Sequence, residues 1–276
     1  MTMLEWKKGF DLPDRRENKV DVLAQLREKG KMEMLHQSEQ KMVDIHMHLI
    51  PGVDDGAEDM MMARMMMLRA REQGVCVIFC TPHSEAFDYA EDVHLVFQKL
   101  KANVERAYPD MKLYLGCEVY CEERMMPQVL ENLNTGHYPT MNGTKYVLTE
   151  FSVWDTPQGA ISCVKALAEA GYKPIIAHME RYPFLWGNWG AVKQIRELGA
   201  LVQVNAYSLF DEEDASVRDW ARQLVWERMV DFLGTDAHRT YHRPPSAEYG
   251  LHWLYQNADQ AYADAVAWKN AQEYLL

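Results

Sequence analysis

No cysteine in this chain is placed to act as the nucleophile of a thiol phosphatase. The five cysteines are Cys76, Cys80, Cys117, Cys121 and Cys163, and none has an arginine six residues later, as that phosphate-binding loop requires. Their odd number and their place inside apolar runs mark them as reduced, structural thiols. Glycine-rich nucleotide loops are missing as well. Neither Gly-x-Gly-x-x-Gly nor a P-loop occurs, which removes the usual nucleotide-binding readings of an open sheet. The sequence has no apolar run of about 18 residues and no signal-peptide pattern at its start, so no membrane insertion and a cytoplasmic location are expected. Positive charge is in deficit, with a net charge of -12 at pH 7, which speaks against holding nucleic acid or an anionic membrane by bulk attraction. Phosphate binding stays open if metals or a few arginines are focused on one spot.

What is present suffices for a single sizeable core: 276 residues, 48% hydrophobic and 25% charged. A single α/β barrel commonly takes about 250 residues, so length does not demand a second domain. Residues 1–41 stand apart, with nine Lys/Arg and eight Asp/Glu. They read as a charged N-terminal extension with one helical stretch around Val20 to Lys31, where Val20, Leu23 and Leu26 share a side. Such an extension packs loosely on the domain, or serves as an oligomerisation or partner arm anchored by Trp6 and Phe10.

From residue 42 to 276 the chain alternates short apolar strands with helices. Strands are expected at 42–48, 75–80, 112–120, 145–151, 174–179, 201–206 and 229–235, and helices at 57–73, 91–107, 158–170, 190–198 and 213–227. That alternation calls for a parallel sheet with crossover helices, and seven such units fit a closed or nearly closed barrel better than an open doubly wound sheet. The methionines of the first helix (Met60, Met61, Met62, Met65, Met66, Met67) read as core and near-core filling rather than as a soft-metal surface.

In parallel barrels the site lies at the carboxyl ends of the strands. The first strand ends in His46 and His48, two residues apart and so on one side of the backbone. Pro51-Gly52 then turns the chain so that Asp54 and Asp55 follow. Thr81-Pro82-His83, Glu118, Glu150, His178 and Asp236-Ala237-His238 stand at the other strand ends. Each alone could be an ordinary buried polar residue, but six strand ends out of seven carry a His, Asp or Glu. A mixed His/carboxylate set without thiolates suits Mn, Fe, Zn or similar ions. Nine such groups are too many for one metal, whereas two or three ions with bridging carboxylates would use them all. Clusters of that kind hold a hydroxide at neutral pH and clamp a phosphoester.

Asp44-Ile45-His46-Met47-His48, Thr81-Pro82-His83, Gly116-Cys117-Glu118, Ala177-His178 and Asp236-Ala237-His238 resemble the motifs of the PHP (polymerase and histidinol phosphatase) superfamily. The run from His48 to Ala57, with His178-Met179-Glu180-Arg181-Tyr182 and His238 to Pro245, resembles its branch of bacterial manganese-dependent protein-tyrosine phosphatases, the CpsB type of capsule and exopolysaccharide clusters. The likeness covers about residues 42 to 260. It implies a distorted (β/α)7 TIM-like PHP barrel holding three divalent metals, with Mn the leading candidate and Fe or Zn compatible. By motif, His46, His48, Glu118 and Asp236 would hold the first, Glu118, Glu150 and His178 the second, and Asp55, His83 and His238 the third. Met47 and Met179 depart from the branch pattern, and the N-terminal extension has no counterpart in it.

The activity so implied is hydrolysis of phosphotyrosine on an autophosphorylated bacterial tyrosine kinase that regulates polysaccharide synthesis, by a metal-bridging hydroxide and without a cysteine nucleophile. Arg181 and Arg243 are expected to neutralise the equatorial phosphoryl oxygens. Arg239 is the rival of Arg243, and an ion pair with Glu180 is the rival role for Arg181; no general acid is obvious, His242 and a metal-bound water being the two candidates. Trp186 and Trp189 form an aromatic lip or cap the barrel; Tyr120 and Phe151 are placed to line the pocket. Two other readings stay open: a phosphoesterase for a small, histidinol-phosphate-like molecule, and a non-catalytic binding module.

Overall fold

The computed structural model describes residues 41–90 and 92–276. The expected N-terminal extension, its helix around Val20 to Lys31 and the anchors Trp6 and Phe10 lie outside the described residues.

The short apolar runs become parallel strands: β1 (Met42–Met47), β2 (Val75–Cys80), β3 (Lys112–Leu115), β4 (Glu118–Tyr120), β5 (Tyr146–Glu150), β6 (Lys173–Ile176), β7 (Leu201–Asn205) and β8 (Phe232–Gly234). They pair in the orders β1-β2-β3 and β4-β5-β6-β7-β8. All six residues of β1 are buried, as a strand covered on both faces requires. The two sheets are hydrogen-bonded to each other at both edges. At one seam His48 N–H donates to Ala237 O at 2.9 Å and Asp236 N–H to His46 O at 2.7 Å; at the other Glu118 N–H donates to Pro82 O at 3.0 Å and Ser84 N–H to Glu118 O at 2.9 Å.

The third expected strand, 112–120, is therefore two. β3 pairs with β2 and β4 with β5, and Gly116-Cys117 is the step between them. A Cβ on Gly116 would stand 2.7 Å from Met141 Sδ and 3.1 Å from Thr81 Cγ2, so the step is cut to fit glycine. The fifth expected strand stops at Ile176, short of 179, because His178 adopts a left-handed φ of +33°.

The helices are α1 (Met60–Glu72), α2 (Glu85–Tyr89), α3 (Val93–Ala107), α4 (Met126–Thr135), α5 (Pro157–Glu169), α6 (Trp189–Glu197), α7 (Ala215–Trp226) and α8 (Glu248–Asn257); α9 (Gln260–Asp264) runs through a π-helical turn into α10 (Asn270–Tyr274). Asp59 caps α1 by accepting Met62 N–H at 2.8 Å. The expectation for its methionines holds on one face only. Met66 and Met67 are fully buried, but Met61 is 71% exposed and Met65 46%. Sequence reading passed over α2, α4 and the helices after residue 247, although Pro127 in the first turn of α4 and left-handed Gly136 just past its end are ordinary start and stop signals.

Inside the ring of strands, Val43, Ile45, Phe79, Leu148, Ile175, Ala177 and Phe232 pack with Ala271 and Leu275 from the C-terminal segment. This apolar plug floors the site. Val43 and Ile45 both face it, so strict alternation would turn His46 outward. β1 instead carries an irregularity between Asp44 and Met47, three residues against two on β2, where Asp44 pairs with Ile78 and Met47 with Cys80. The extra residue shifts the phase, and His46 and His48 both end up on the inner face while Met47 packs outward among the helices.

Candidate metal centre

Each strand end delivers its side chain by a local device. After His48, the chain turns through left-handed Gly52, and Gly52 N–H donates to Ala57 O at 2.8 Å. A Cβ on Gly56 would lie 2.3 Å from His48 O, so only glycine lets the turn fold back tightly enough to return Asp54 and Asp55 to the rim. His178 and Asp236 both have positive φ, +33° and +52°, a conformation that non-glycine residues hold only when their surroundings enforce it.

Glu118 sits at the centre. Its Oε1 is 2.9 Å from His178 Nε2 and 3.3 Å from His46 Nε2; its Oε2 is 2.9 Å from His83 Nδ1 and 3.3 Å from His48 Nε2. Asp236 Oδ1 lies 3.6 Å from His46 Nε2 and 3.7 Å from both His48 Nε2 and His238 Nδ1. Asp55 Oδ1 is 3.3 Å from His83 Nε2 and 3.4 Å from His238 Nε2. Glu150 is the outlying member, 3.8 Å from His83 and from His178. All nine sequence-nominated groups thus converge on one rim.

Among the described residues, three sets can hold a metal ion: His48, Asp55, His83 and His238; His46, His48 and Glu118; and His83, Glu118 and Glu150. The grouping differs in detail from the one implied by motif. His48 and His83 each stand in two sets, and His178 approaches Glu118 more closely than it approaches Glu150.

The donors fit cations better than they fit one another. Asp236 Oδ1 is buried and accepts no hydrogen bond, an expensive state for a carboxylate oxygen, and Glu118 Oε2 is met only by the imidazole nitrogens of His83 and His48. The Nε2 atoms of His46 and His48 face each other at 3.3 Å. In the protein alone, protons must mediate. Burial penalises charge on His46, yet Glu118 and Asp236 outweigh it and lift its pKa to about 9. Burial opposes the ionised forms of Glu118 and Asp236 too; His46 and His83 hold Glu118 well below its usual range, and Arg243, His46 and Arg181 do the same for Asp236. His238 moves the other way, down to about 3, through burial and the Arg243 charge. Oxygen and imidazole donors without thiolate suit Mn, Fe or Zn.

Both nominated arginines reach this centre. Arg181 NH1 donates to Asp236 Oδ2 at 2.8 Å, and Arg243 donates to the same oxygen and, at 2.9 Å, to His238 Nε2. No bridge joins Arg181 to Glu180, whose buried carboxylate accepts Asn205 N–H and Ser208 Oγ–H. The rival Arg239 is turned aside onto Glu58, Tyr241 and the Asp55 carbonyl. Of the aromatic lip, Trp189 packs against Trp220 of α7 with ring centres 4.8 Å apart, while Trp186 donates to Glu180 O and keeps 36% of its surface exposed. Phe151 is buried, and its N–H donates to the Tyr182 hydroxyl at 3.0 Å.

Sequence reasoning missed the polar layer behind these groups. Asp44 accepts Thr235 Oγ1–H at 2.6 Å, Thr235 N–H at 2.9 Å and His46 N–H at 3.1 Å, tying β1 to the chain after β8. Gln203 and Asn205 are buried on β7, which ends without a His, Asp or Glu. Two amides spaced i, i+2 in an otherwise apolar run were the available signal.

Comparison with known proteins agrees with this architecture. The family model described as "Capsular polysaccharide synthesis, CpsB/CapC" matches residues 42–276. The chain is 30% identical over 245 residues to the tyrosine-protein phosphatase CpsB of Streptococcus agalactiae, covering 85% of this chain and 98% of the relative. To the tyrosine-protein phosphatase YwqE of Bacillus subtilis it is 30% identical over 216 residues, 77% of this chain and 84% of the relative. A solved structure from the work on YwqE of Bacillus subtilis and CpsB of Streptococcus pneumoniae, described as unique metal-dependent tyrosine phosphatases, superimposes with a TM-score of 0.76 at 26% identity, covering 85% of this chain and 94% of the other.

Proposed function

The chain belongs to the CpsB/CapC family, and from that premise and the geometry of its rim we propose that it is a metal-dependent protein-tyrosine phosphatase. The observation that carries the reading is the crowding of two buried carboxylates, Glu118 and Asp236, among five imidazoles, with Asp236 Oδ1 left without a hydrogen bond. His46, His48, Asp55, His83, Glu118, Glu150, His178, Asp236 and His238 would hold three divalent ions, manganese first, with iron or zinc compatible. Ions so held supply Lewis acidity, activate water and neutralise phosphate charge.

The chain's own residues supply the rest. Arg181 and Arg243, both on Asp236 Oδ2, stand ready to donate to phosphoryl oxygens as charge develops on them. A tyrosine leaving group, pKa about 10, is easier to expel than serine and needs less help from a general acid. No cysteine takes part. Cys80, Cys117 and Cys121 are buried, and burial pushes their thiols up, away from the thiolate a nucleophile needs. The substrate consistent with the family is the phosphorylated tyrosine tail of a bacterial kinase that controls capsular or exopolysaccharide synthesis.

The test compares phosphotyrosyl peptides with small phosphomonoesters as substrates of the metal-loaded chain, with His46→Ala as control. Higher kcat/KM on the peptide, abolished by the substitution, is expected. A clear preference for the small ester would move the protein to small-molecule hydrolysis, and turnover that survives His46→Ala would remove the metal centre from the chemistry.

A further inference from the structure

The polar layer on β7 has a direction that can be read atom by atom. Gln203 has one side-chain end 2.8 Å from the backbone N–H of His178 and 3.1 Å from His46 Nδ1. A backbone N–H can only donate, so the atom it meets is the amide oxygen, Oε1. That oxygen can only accept, so His46 Nδ1 carries a proton and its Nε2 faces Glu118 and Asp236. At the other end Gln203 Nε2 donates to Asn205 Oδ1 at 2.8 Å, which leaves the Asn205 amino group to donate to Asp236 Oδ2 at 3.1 Å. One backbone amide thereby orders a chain of two side-chain amides. With Arg181 and Arg243 also on Asp236 Oδ2, that oxygen is saturated and Oδ1 is left bare toward the centre.

The neighbouring strand makes room for this relay. A Cβ on Gly234 would lie 2.9 Å from Gln203 Nε2 and 2.7 Å from His46 Cβ. A glycine at the end of β8 is what lets the amide and the imidazole lie side by side.

We propose that Gln203 is a positioning residue: through Oε1 it fixes the His46 ring with Nε2 toward the cation position and ties that ring to the left-handed turn at His178, and through Asn205 it turns the free oxygen of Asp236 to the same place. The inference rests on the reading of the rim as a metal centre. Gln203 touches neither substrate nor ion; it acts through His46, His178 and Asp236. Partners of this kind behind a metal ligand typically alter metal affinity by about 10–100-fold when removed.

The experiment titrates the metal-free full chain with Mn²⁺ and counts ions and affinities for the parent, Gln203→Leu and Gln203→Glu, with a melting curve for each. Gln203→Leu removes both ends of the relay at similar volume and is expected to bind its weakest ion at least about tenfold less tightly. Gln203→Glu keeps the acceptor that meets His46 and His178 but loses the donor to Asn205, and is expected to bind between the parent and the leucine variant. In the zinc-loaded parent, imidazole ¹⁵N shifts are expected to place the His46 proton on Nδ1. Parental affinity in a folded Gln203→Leu, a Gln203→Glu as weak as the leucine variant, or a His46 proton on Nε2 overturns the proposal. If Gln203→Leu does not fold, the glutamate variant and the ¹⁵N shifts decide. A parent that takes up no Mn²⁺ overturns the metal centre itself, whereas a parent that binds normally and variants that match it overturn the positioning role alone.

Discussion

The Asp54 carboxylate lies 2.7 Å from His48 Nδ1 and holds that imidazole from behind, with Nε2 turned toward Glu118. The same carboxylate accepts Gly56 N–H at 2.9 Å and His83 N–H at 3.2 Å. Its sequence neighbour Asp55 points the other way, into the gap between His83 and His238. Adjacent aspartates therefore differ in placement: Asp54 braces an imidazole from behind, and Asp55 lies within reach of two others. Asp54→Asn is expected to weaken metal binding about 10–100-fold while leaving the full number of ions at saturation. Asp55→Asn is expected to lose one ion per chain even at saturation. Elemental analysis at saturating Mn²⁺ separates the two, and equal losses would sink the division.

Arg181 and Arg243 meet on one oxygen of Asp236. Lysine keeps the charge but not the planar fork that matches phosphate. Arg181→Lys and Arg243→Lys should each lower kcat/KM on a phosphotyrosyl peptide on the order of 10²-fold with metal content unchanged. A loss of bound ions in place of turnover would reassign both residues to holding Asp236.

How much of this was legible beforehand depends on what kind of signal each part leaves. His46 and His48, or Asp236 and His238, are chemically conspicuous residues at the ends of apolar runs, and their periodicity places them on one rim. The irregularity in β1 that brings His46 inward leaves no such mark, because it arises from register against β2. The break at Gly116 depends in the same way on Met141 and Thr81, residues distant in sequence. Gln203 and Asn205 were overlooked because amides are not ligands, and the functional content of β7 lies in hydrogen-bond direction, not in donor type. The methionine face of α1 misled for the opposite reason: an apolar residue type does not say which side of a helix it occupies.

Acidity should govern both stability and metal uptake. In the metal-free fold the His46 pKa is raised to about 9 from its ordinary 6.5. A raised pKa means that the protonated ring stabilises the fold, fully at pH below the unfolded value and progressively less as pH climbs through 9. Metal-free protein is therefore expected to melt lower at pH 9 than at pH 6.5 through this group, while ions that displace the proton bind more tightly as pH rises. Calorimetric titration with Mn²⁺ at pH 7 in buffers of different ionisation heat should show net proton release. Uptake with no proton released would contradict the charge state drawn here.

Gly234 offers a test of packing alone. The Cβ added by Gly234→Ala would stand 2.7 Å from the His46 Cβ, between two strands with no room to part. Overpacking of this kind costs about 1–3 kcal/mol, so thermal unfolding should fall in temperature and metal uptake should weaken with it. An alanine variant as stable as the parent would mean that β1 and β8 separate more easily than their hydrogen bonds at His46 and Asp236 indicate.

The central claim is that the nine rim groups hold divalent cations that enable hydrolysis of phosphotyrosine. It is tested most directly by following phosphotyrosyl-peptide hydrolysis while the ions are stripped with a chelator and returned as Mn²⁺, with bound metal counted at each point. Activity that disappears with the ions, returns with them, and tracks a stoichiometry of three per chain is the predicted result. Undiminished hydrolysis by protein shown to be free of metal would contradict the account.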